Sequence, residues 1–513
     1  MKLLRKLVPF FFTLSRLLPT TAHFTQLATM AKVPPILSLD QRPVIVVGSG
    51  LAGLSAASQL VSHNVPVRLL ERFPKTGGNS IKASSGINGA PTRFQPANGG
   101  NHILFYNDTL KSAGSVLLAA SEECRELRER LIATMTKSSA GAVYWLADEN
   151  GIDLSKVAQL GGHSRPRTHR GAGKNPPGFA IVSTLLGLLE KNPLFKLQTG
   201  ARVTKVIRNG DEVTGVEYVN DDGETATAHG PVVFASGGFA GDAHGLLAKY
   251  RPDLAGIPST NERREGSQPL LEDVGANLFD MEHVQIHPTG FLDPKDPKAM
   301  VKILAAEALR GEGGILLLRD GRRFINELET RERVTDAIMR STSTREEMTI
   351  RQWDVRVVLD VGSAEALEHH LGFYMWKGLI QKTTAGELGP VALQTIKDYA
   401  DVVAGRGKDS HGRTHFGNWK LTDVRPDSVI YVGQVTPVVH FTMGGVTINE
   451  RSQVLDTSLN TIRGLWAAGE VTGGVHGKNR LGGSSLLECV VFGRIAGDQA
   501  AAFYKEHYAE GSQ

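Results

Sequence analysis

Cysteine is almost missing from this chain: Cys124 and Cys489 are the only two in 513 residues. That excludes a disulfide framework, a cysteine-held zinc or iron–sulfur centre, and a haem attached through Cys-x-x-Cys-His, and no metal site is expected. Long Lys/Arg runs with interleaved aromatics are absent too, and a formal net charge of +4 is small for this length, so nothing supports a nucleic-acid surface. The body of the chain is closer still to neutral, because Lys2, Arg5, Lys6, Arg16, Lys32 and Arg42 all lie near the start. Residues 1–39 contain no Asp or Glu, and their apolar block from Leu7 to Leu18 is broken by Arg16. The block is shorter than the about 20 residues that span a bilayer. It reads as a targeting segment outside the fold, and no membrane span is expected in the mature protein. Mitochondrial import is favoured, import into the endoplasmic reticulum is the alternative, and a start at Met30 gives a cytosolic form. A structureless tail without an address ranks below these.

Glycine, in contrast, is plentiful: 57 residues, against the roughly 7% of an average chain, which suits backbone that approaches a large cofactor. The apolar (41%) and charged (21%) fractions are ordinary for a globular protein, and the length predicts two or three domains. Val44-Ile45-Val46-Val47 is a β-branched run of the kind buried on both faces of a parallel sheet. It enters Gly48-Ser49-Gly50-Leu51-Ala52-Gly53, and Leu54 to Val61 then reads as a helix. Gly48 allows the turn, Gly50 lets backbone approach a pyrophosphate, and Gly53 lets helix and strand pack closely, with the helix N-terminus facing the negative charge. Val67 to Glu71 supplies a second strand that ends on the acid expected at the ribose hydroxyls. Alone the motif does not choose between NAD and FAD.

The small-residue loop Gly77-Gly78-Asn79-Ser80, continuing through Ser84-Ser85-Gly86, has little use in a simple NAD domain, whereas its amides can wrap an isoalloxazine ring. Farther on, Ala201 to Val206 and Val213 to Tyr218 read as a hairpin, and Val232 to Phe234 as a buried strand ending on Ala235-Ser236-Gly237-Gly238. This order is that of a two-part FAD domain. Near the C-terminus, Gly469-Glu470 and the run His476-Gly477-Lys478-Asn479-Arg480-Leu481-Gly482-Gly483-Ser484-Ser485-Leu486-Leu487-Glu488 offer backbone amides and one guanidinium to the same cofactor.

Together with Gln285-Ile286-His287-Pro288-Thr289-Gly290, Glu307-Ala308-Leu309-Arg310-Gly311, Arg322 to Glu327 with Arg331, and His440-Phe441-Thr442-Met443-Gly444-Gly445, these motifs resemble the soluble fumarate reductase family of flavoproteins. That family is related to the flavoprotein subunit of succinate dehydrogenase, and the fungal soluble enzymes are the near match. The resemblance spans roughly residues 43–505, apart from the less recognisable stretch of about 340–430. It implies an α/β fold: a Rossmann-like FAD-binding domain of residues 40–281 and 441–513, with an inserted α+β capping domain of 282–440. It implies FAD held by Gly48 to Gly53, Glu71, Arg72, Gly78, Asn79, Ser80, Ser84 to Gly86, Val203, Ala235, Gly237, Gly238, Gly469, Glu470 and Ser485 to Leu487. Related respiratory subunits attach FAD through a histidine after the second strand; no histidine lies between Glu71 and Ala90, so FAD is expected to be non-covalent.

The implied chemistry is reduction of fumarate to succinate, with hydride from flavin N5. His287, His440 and Arg480 hold the carboxylates; Arg331 delivers the proton, with Glu307 and Arg310 as its relay. Without the family pattern, His287 and His440 read rather as satisfied histidines at domain boundaries, and Arg310, Arg323 and Arg331 as solvated helix charges. Two positions depart from the family pattern: Ala306 stands where bacterial relatives often have Thr, and the loop Thr260 to Gln268 lacks the usual Gly-Asp-Gly. The cationic segment Gly161 to Arg170 is given no catalytic role. Electrons come from a diffusible donor, whether reduced flavin, an NADH-linked partner or a flavoenzyme, since no second dinucleotide motif is evident. The rival readings are L-aspartate oxidase or another FAD-dependent alkene reductase on the same scaffold, and a non-catalytic flavin-binding redox partner.

Overall fold

A computed structural model describes residues 42–508 apart from 98, 174 and 342–349; the targeting segment expected over residues 1–39 lies outside the described residues. Strand β1 (Val44–Val47) is buried along its whole length and leads into helix α1 (Leu51–Ser62). Strand β2 (Val67–Leu70) lies parallel to β1 with Val44 opposite Val67. Beyond them come β3 (Phe195–Gln198), β4 (Arg202–Asn209), β5 (Glu212–Val219) and β6 (Val232–Phe234).

The chain then builds a second sheet. Its elements are β7 (Val284–Phe291), the short α2 (Ala308–Gly311), β8 (Ile315–Leu318), α3 (Arg331–Ser341), β9 (Val355–Leu359), α4 (Glu368–Trp376), β10 (Ile380–Thr384) and the long β11 (Val429–Thr442). Strands run in the order β7-β11-β9-β8, with β10 also on β11, and every pairing is antiparallel. The chain returns to the first sheet with β12 (Thr461–Ala467) and ends on α5 (Ser484–His507). β12 inserts between β6 and β5, so the first sheet reads β3-β2-β1-β6-β12-β5-β4, with two short strands outside this path. Its first five strands pair in parallel.

Each sheet has its own apolar core. The first is built from residues of 44–276 and 446–504, and the second from residues of 239–439. The second core also takes in Phe239, Leu246, Leu254 and Met281, which precede β7. Among the described residues no helix is long and apolar enough to cross a membrane.

Helices α1 and α5 pack under the Gly-rich turn, and glycines set how closely they approach. A Cβ on Gly493 would stand 2.5 Å from the Ala52 carbonyl oxygen, and one on Gly497 would stand 2.5 Å from that of Ala56. Neither backbone oxygen can swing away. Gly493→Val is therefore expected to destabilise the protein by about 1–3 kcal/mol through overpacking, read as a lower midpoint in urea unfolding. An unchanged midpoint would mean the helices have slack at this seam.

Candidate active site

The crossing from β1 to α1 forms one wall of a cleft of about 1130 Å³, above the roughly 300–1,000 Å³ of a drug-sized ligand's pocket. Gly48 to Ala52, Glu71, Arg72, Gly78, Asn79, Ser80, Ser84, Ser85, Gly86, Val203, Ala235, Gly237, Gly469, Glu470, Ser485 and Leu486 all line it. Gly53, Gly238 and Leu487 do not. A Cβ on Gly53 would stand 2.0 Å from the Gly48 carbonyl oxygen and one on Gly238 would stand 2.2 Å from Thr442 Oγ1, while Leu487 is fully buried in the first core. These three shape the wall from behind.

The cleft fits a dinucleotide. Gly50 caps α1 with no side chain, and a Cβ there would meet nothing nearer than Ser80 Oγ at 3.6 Å, so the space before the helix N-terminus is open. The Leu51 amide donates to Ser80 Oγ at 3.1 Å; the next first-turn amides and the helix dipole favour a phosphate at such a place. Glu71 Oε2 accepts from the Ser49 amide at 2.9 Å and from its hydroxyl, and Oε1 accepts from the Phe73 amide at 3.0 Å. A carboxylate has about four acceptor positions. Glu71 is thus held rigidly at the end of β2 with capacity left for a hydroxyl. Glu470, half-buried in the wall, has its pKa pushed up to about 7 by desolvation, against the opposing Thr442 amide.

Cationic groups gather at the side of the cleft nearer the second sheet. His287 on β7 and His440 on β11 come together with ring centroids 5.2 Å apart. The ladder slips between His287 and Gly290, where Pro288 cannot donate a sheet bond, and bulges of this kind re-aim side chains. Thr289 donates its amide to His287 Nδ1 at 3.2 Å, while Nε2 has no partner among the described residues. Thr260 Oγ1 lies 2.8 Å from His440 Nδ1, and Asn261 Nδ2 donates to the His440 carbonyl at 2.9 Å. The loop without Gly-Asp-Gly is therefore ordered here and orients a histidine. Its Arg264 and Glu265 also line the cleft.

Arg331, at the start of α3, donates through Nε to Glu307 Oε2 at 2.6 Å and through Nη1 to Gln285 Oε1 at 2.8 Å. Gln285 in turn donates to the Arg480 carbonyl at 2.7 Å, joining the first turn of α3 to the C-terminal run. Gly161 donates its amide to Glu307 Oε1 at 2.8 Å, so the segment given no role supports the carboxylate through its backbone. Arg480 stands 4.2 Å from the Phe441 ring centroid and donates to the Leu481 carbonyl; its Nε is unpartnered among the described residues. Arg310 is fully buried behind them, with Nε and Nη2 likewise unpartnered. Arg331, His440 and Arg480 line the cleft, whereas His287, Glu307 and Arg310 form the layer behind. Gln285, Gly161, Thr260 and Asn261 lie in segments named in the sequence analysis, but none of the four was given a role there. At Ala306 the amide donates to the Tyr374 hydroxyl at 3.3 Å, and the methyl side chain supplies no hydroxyl of its own.

Burial holds both histidines well below their ordinary pKa, helped at His287 by Arg331, His440 and Arg310 and at His440 by Arg331 and Arg480, so they stay neutral near pH 7. Burial also lowers Arg480 to about 9 and Arg310 to about 10, with Arg331 adding to both. Burial alone would raise Glu307, but Arg331 and Arg310 bring it down to about 2. The cluster therefore keeps three guanidiniums against one carboxylate. An excess of buried positive charge is costly unless an anion joins it.

Comparison with known proteins gives concordant matches. The FAD binding domain family model matches residues 43–486. Fumarate reductase 1 of Saccharomyces cerevisiae is 43% identical over 486 residues, covering 90% of this chain and 98% of that protein. The fumarate reductase of Schizosaccharomyces pombe is 40% identical, covering 89% of each. Among solved structures, the open conformation of a flavocytochrome c3 fumarate reductase superposes with a TM-score of 0.68 at 30% identity, covering 90% of this chain and 78% of that one.

Two further buried histidines give the site's surroundings a pH signature. His163, with burial and then Arg167 as causes, and His169, by burial, are both pushed down from 6.5 to about 4. Unfolding restores the ordinary value, so the unfolded chain binds protons first as the pH falls. Their contribution to stability is complete above pH 6.5 and is lost as the pH falls through 4. Thermal melts should show Tm dropping steadily from pH 7 to pH 4, and a flat Tm across that window would contradict the assignment.

Proposed function

The chain belongs to the FAD binding domain family and, within it, to the fumarate reductases, and from that premise we propose that it reduces fumarate to succinate with non-covalently held FAD. The observation that carries this reading is the convergence of Arg331, Arg480 and His440 on a cleft whose surplus charge is positive. A small dicarboxylate supplies the missing negative charge. Residues 40–281 with 441–513 serve as the FAD-binding domain, and 282–440 as the cap.

FAD in its reduced form supplies the hydride. Arg480 and the neutral His440 hold the substrate carboxylates, with the neutral His287 behind them packed against His440, and a cation conjugated through the carboxylate makes the alkene more electrophilic. Arg480 is suited to a bidentate grip, because its guanidinium rests on Phe441 and has no carboxylate partner of its own at salt-bridge distance. Arg331 gives a proton to the alkene carbon that does not receive hydride. A free guanidinium practically never loses a proton. Here Arg331 is buried beside Arg310 and Arg480, and Glu307 Oε2 stands 2.6 Å from its Nε to pass in the next proton. Arg310, next to Glu307, is the outer member of the relay. Electrons reach the enzyme from a diffusible donor. The acid-free N-terminal segment supports a mitochondrial destination.

Anaerobic reoxidation of dithionite-reduced holoenzyme by fumarate, iminoaspartate, urocanate and a ketosteroid tests the substrate class. Fast reoxidation by fumarate alone is expected, and preference for any other member replaces this reading with the corresponding rival. Arg331→Ala and Arg331→Lys should each lower kcat by about 10²–10⁴-fold, the usual worth of a positioned acid, with much smaller effects on KM. Full turnover by Arg331→Lys would remove the proton role. Acid precipitation should leave all the yellow flavin in the supernatant; flavin that stays with the polypeptide would refute non-covalent binding.

A further inference from the structure

The cap holds a second buried ionic cluster, to which the roles above assign nothing. Glu327 is fully buried and accepts from Arg323 Nε and Nη2 at 2.8 Å each, and from Arg413 Nη1 at 2.9 Å. Arg323 also pairs with Asp409, whose Oδ1 accepts the Arg413 amide at 2.9 Å. Two carboxylates thus face two guanidiniums, and the cluster adds no net charge to its surroundings. Burial would raise Glu327, but Arg323 and Arg413 bring it down to about 2, and its two oxygens are taken up by these guanidiniums and the Leu316 amide, so it serves as an anchor.

The cluster holds the turn that bears Arg310. Arg413 Nη2 donates to the Arg310 carbonyl at 2.8 Å, and Arg413 Nη1 to the Gly314 carbonyl at 3.0 Å. The Glu327 carbonyl accepts from Arg310 Nη1 at 2.6 Å, which is the guanidinium's one hydrogen bond among the described residues. Tyr399 donates its hydroxyl to the Gly313 carbonyl at 3.0 Å and lays its ring against Arg323, 4.7 Å from centroid to guanidinium carbon. Arg310 therefore receives both its backbone position and its side-chain direction from this cluster.

Resting on the fumarate reading, we propose that Glu327 and Arg413 are positioning residues for proton delivery: they hold Arg310 in line with Glu307 and Arg331 without touching the substrate. The stretch around 399–413, which shows no motif, is then part of the active-site frame. A buried pair built for stability alone is often replaceable by apolar groups; a pair built for placement is not, since a shift of about 1 Å far from the chemistry can cost on the order of 100-fold in rate.

The test compares wild type, Arg413→Lys and Tyr399→Phe as holoenzymes in steady-state fumarate reduction, in H2O and D2O, with flavin content and Tm measured alongside. Arg413→Lys keeps the charge on Glu327 but cannot also hold both carbonyls. It should lower kcat by about 10- to 100-fold with KM within about twofold, and the solvent isotope effect on kcat should rise above that of wild type as proton delivery becomes limiting. Tyr399→Phe removes one neutral hydrogen bond from the same turn and should act in the same direction by about threefold; it carries the test if Arg413→Lys loses flavin. Variants with wild-type kcat and isotope effect and only a lower Tm would overturn the inference alone. A wild-type enzyme that fumarate cannot reoxidise would overturn the fumarate reading, and this inference with it.

Discussion

Three guanidiniums buried around a single carboxylate are the constraint on which the rest of the active site depends. Glu307 answers only one of them directly, through Arg331 at 2.6 Å. Arg480 is left with an aromatic face and a backbone carbonyl, and Arg310 with one carbonyl. Side chains so poorly matched would turn towards water if the backbone allowed it. It does not: Gln285 joins Arg331 to the Arg480 backbone, and Glu327 with Arg413 clamps the Arg310 turn. Buried polar bonds of the fold hold Arg310 and Arg480 where, among the described residues, neither has a carboxylate at salt-bridge distance. That arrangement makes sense when the anion is the substrate.

The nucleotide half of this arrangement was legible in the sequence because its determinants are local. Val44 to Glu71 contains strand, turn, helix, second strand and acid within one short stretch, and each leaves a composition or spacing signal. Glu71 arrives on the cleft as its position after β2 requires, already fixed by Ser49. The family motifs likewise named Arg331, His440 and Arg480, which reach the cleft, and His287, Glu307 and Arg310 just behind it.

What escaped the sequence are partners that act through backbone or carboxamide groups across long separations. Gly161 supports Glu307 with an amide that any residue would possess. Thr260 and Asn261 orient His440 from a loop judged by its missing glycines, although the hydroxyl and the carboxamide do the holding. Arg413 lies in a stretch with no motif, and only the turn at Arg310 gives it meaning. Gly53, Gly238 and Leu487 illustrate the opposite limit: a motif marks that a residue belongs to a site but does not say whether it faces the ligand or shapes the wall from behind.

The same electrostatics argue for an arginine acid in the proposed reaction, although two histidines lie closer to the ordinary range for such chemistry. A histidine can deliver a proton only from its charged form. Burial disfavours that form for His287 and His440, and Arg331 disfavours it further for both. Raising either histidine towards neutrality would require removing the cations that bind the carboxylates, which would trade substrate binding for acidity. Guanidinium escapes this conflict. Even lowered by burial and by Arg331 to about 9 at Arg480 and about 10 at Arg310, these two guanidiniums still carry their protons near pH 7. The neutral histidines retain their N–H groups as hydrogen-bond donors to carboxylate, a role that needs no charge. Concentrated positive charge thus selects the acid: once the site is cationic enough to hold a dianion, only its strongest bases remain protonated.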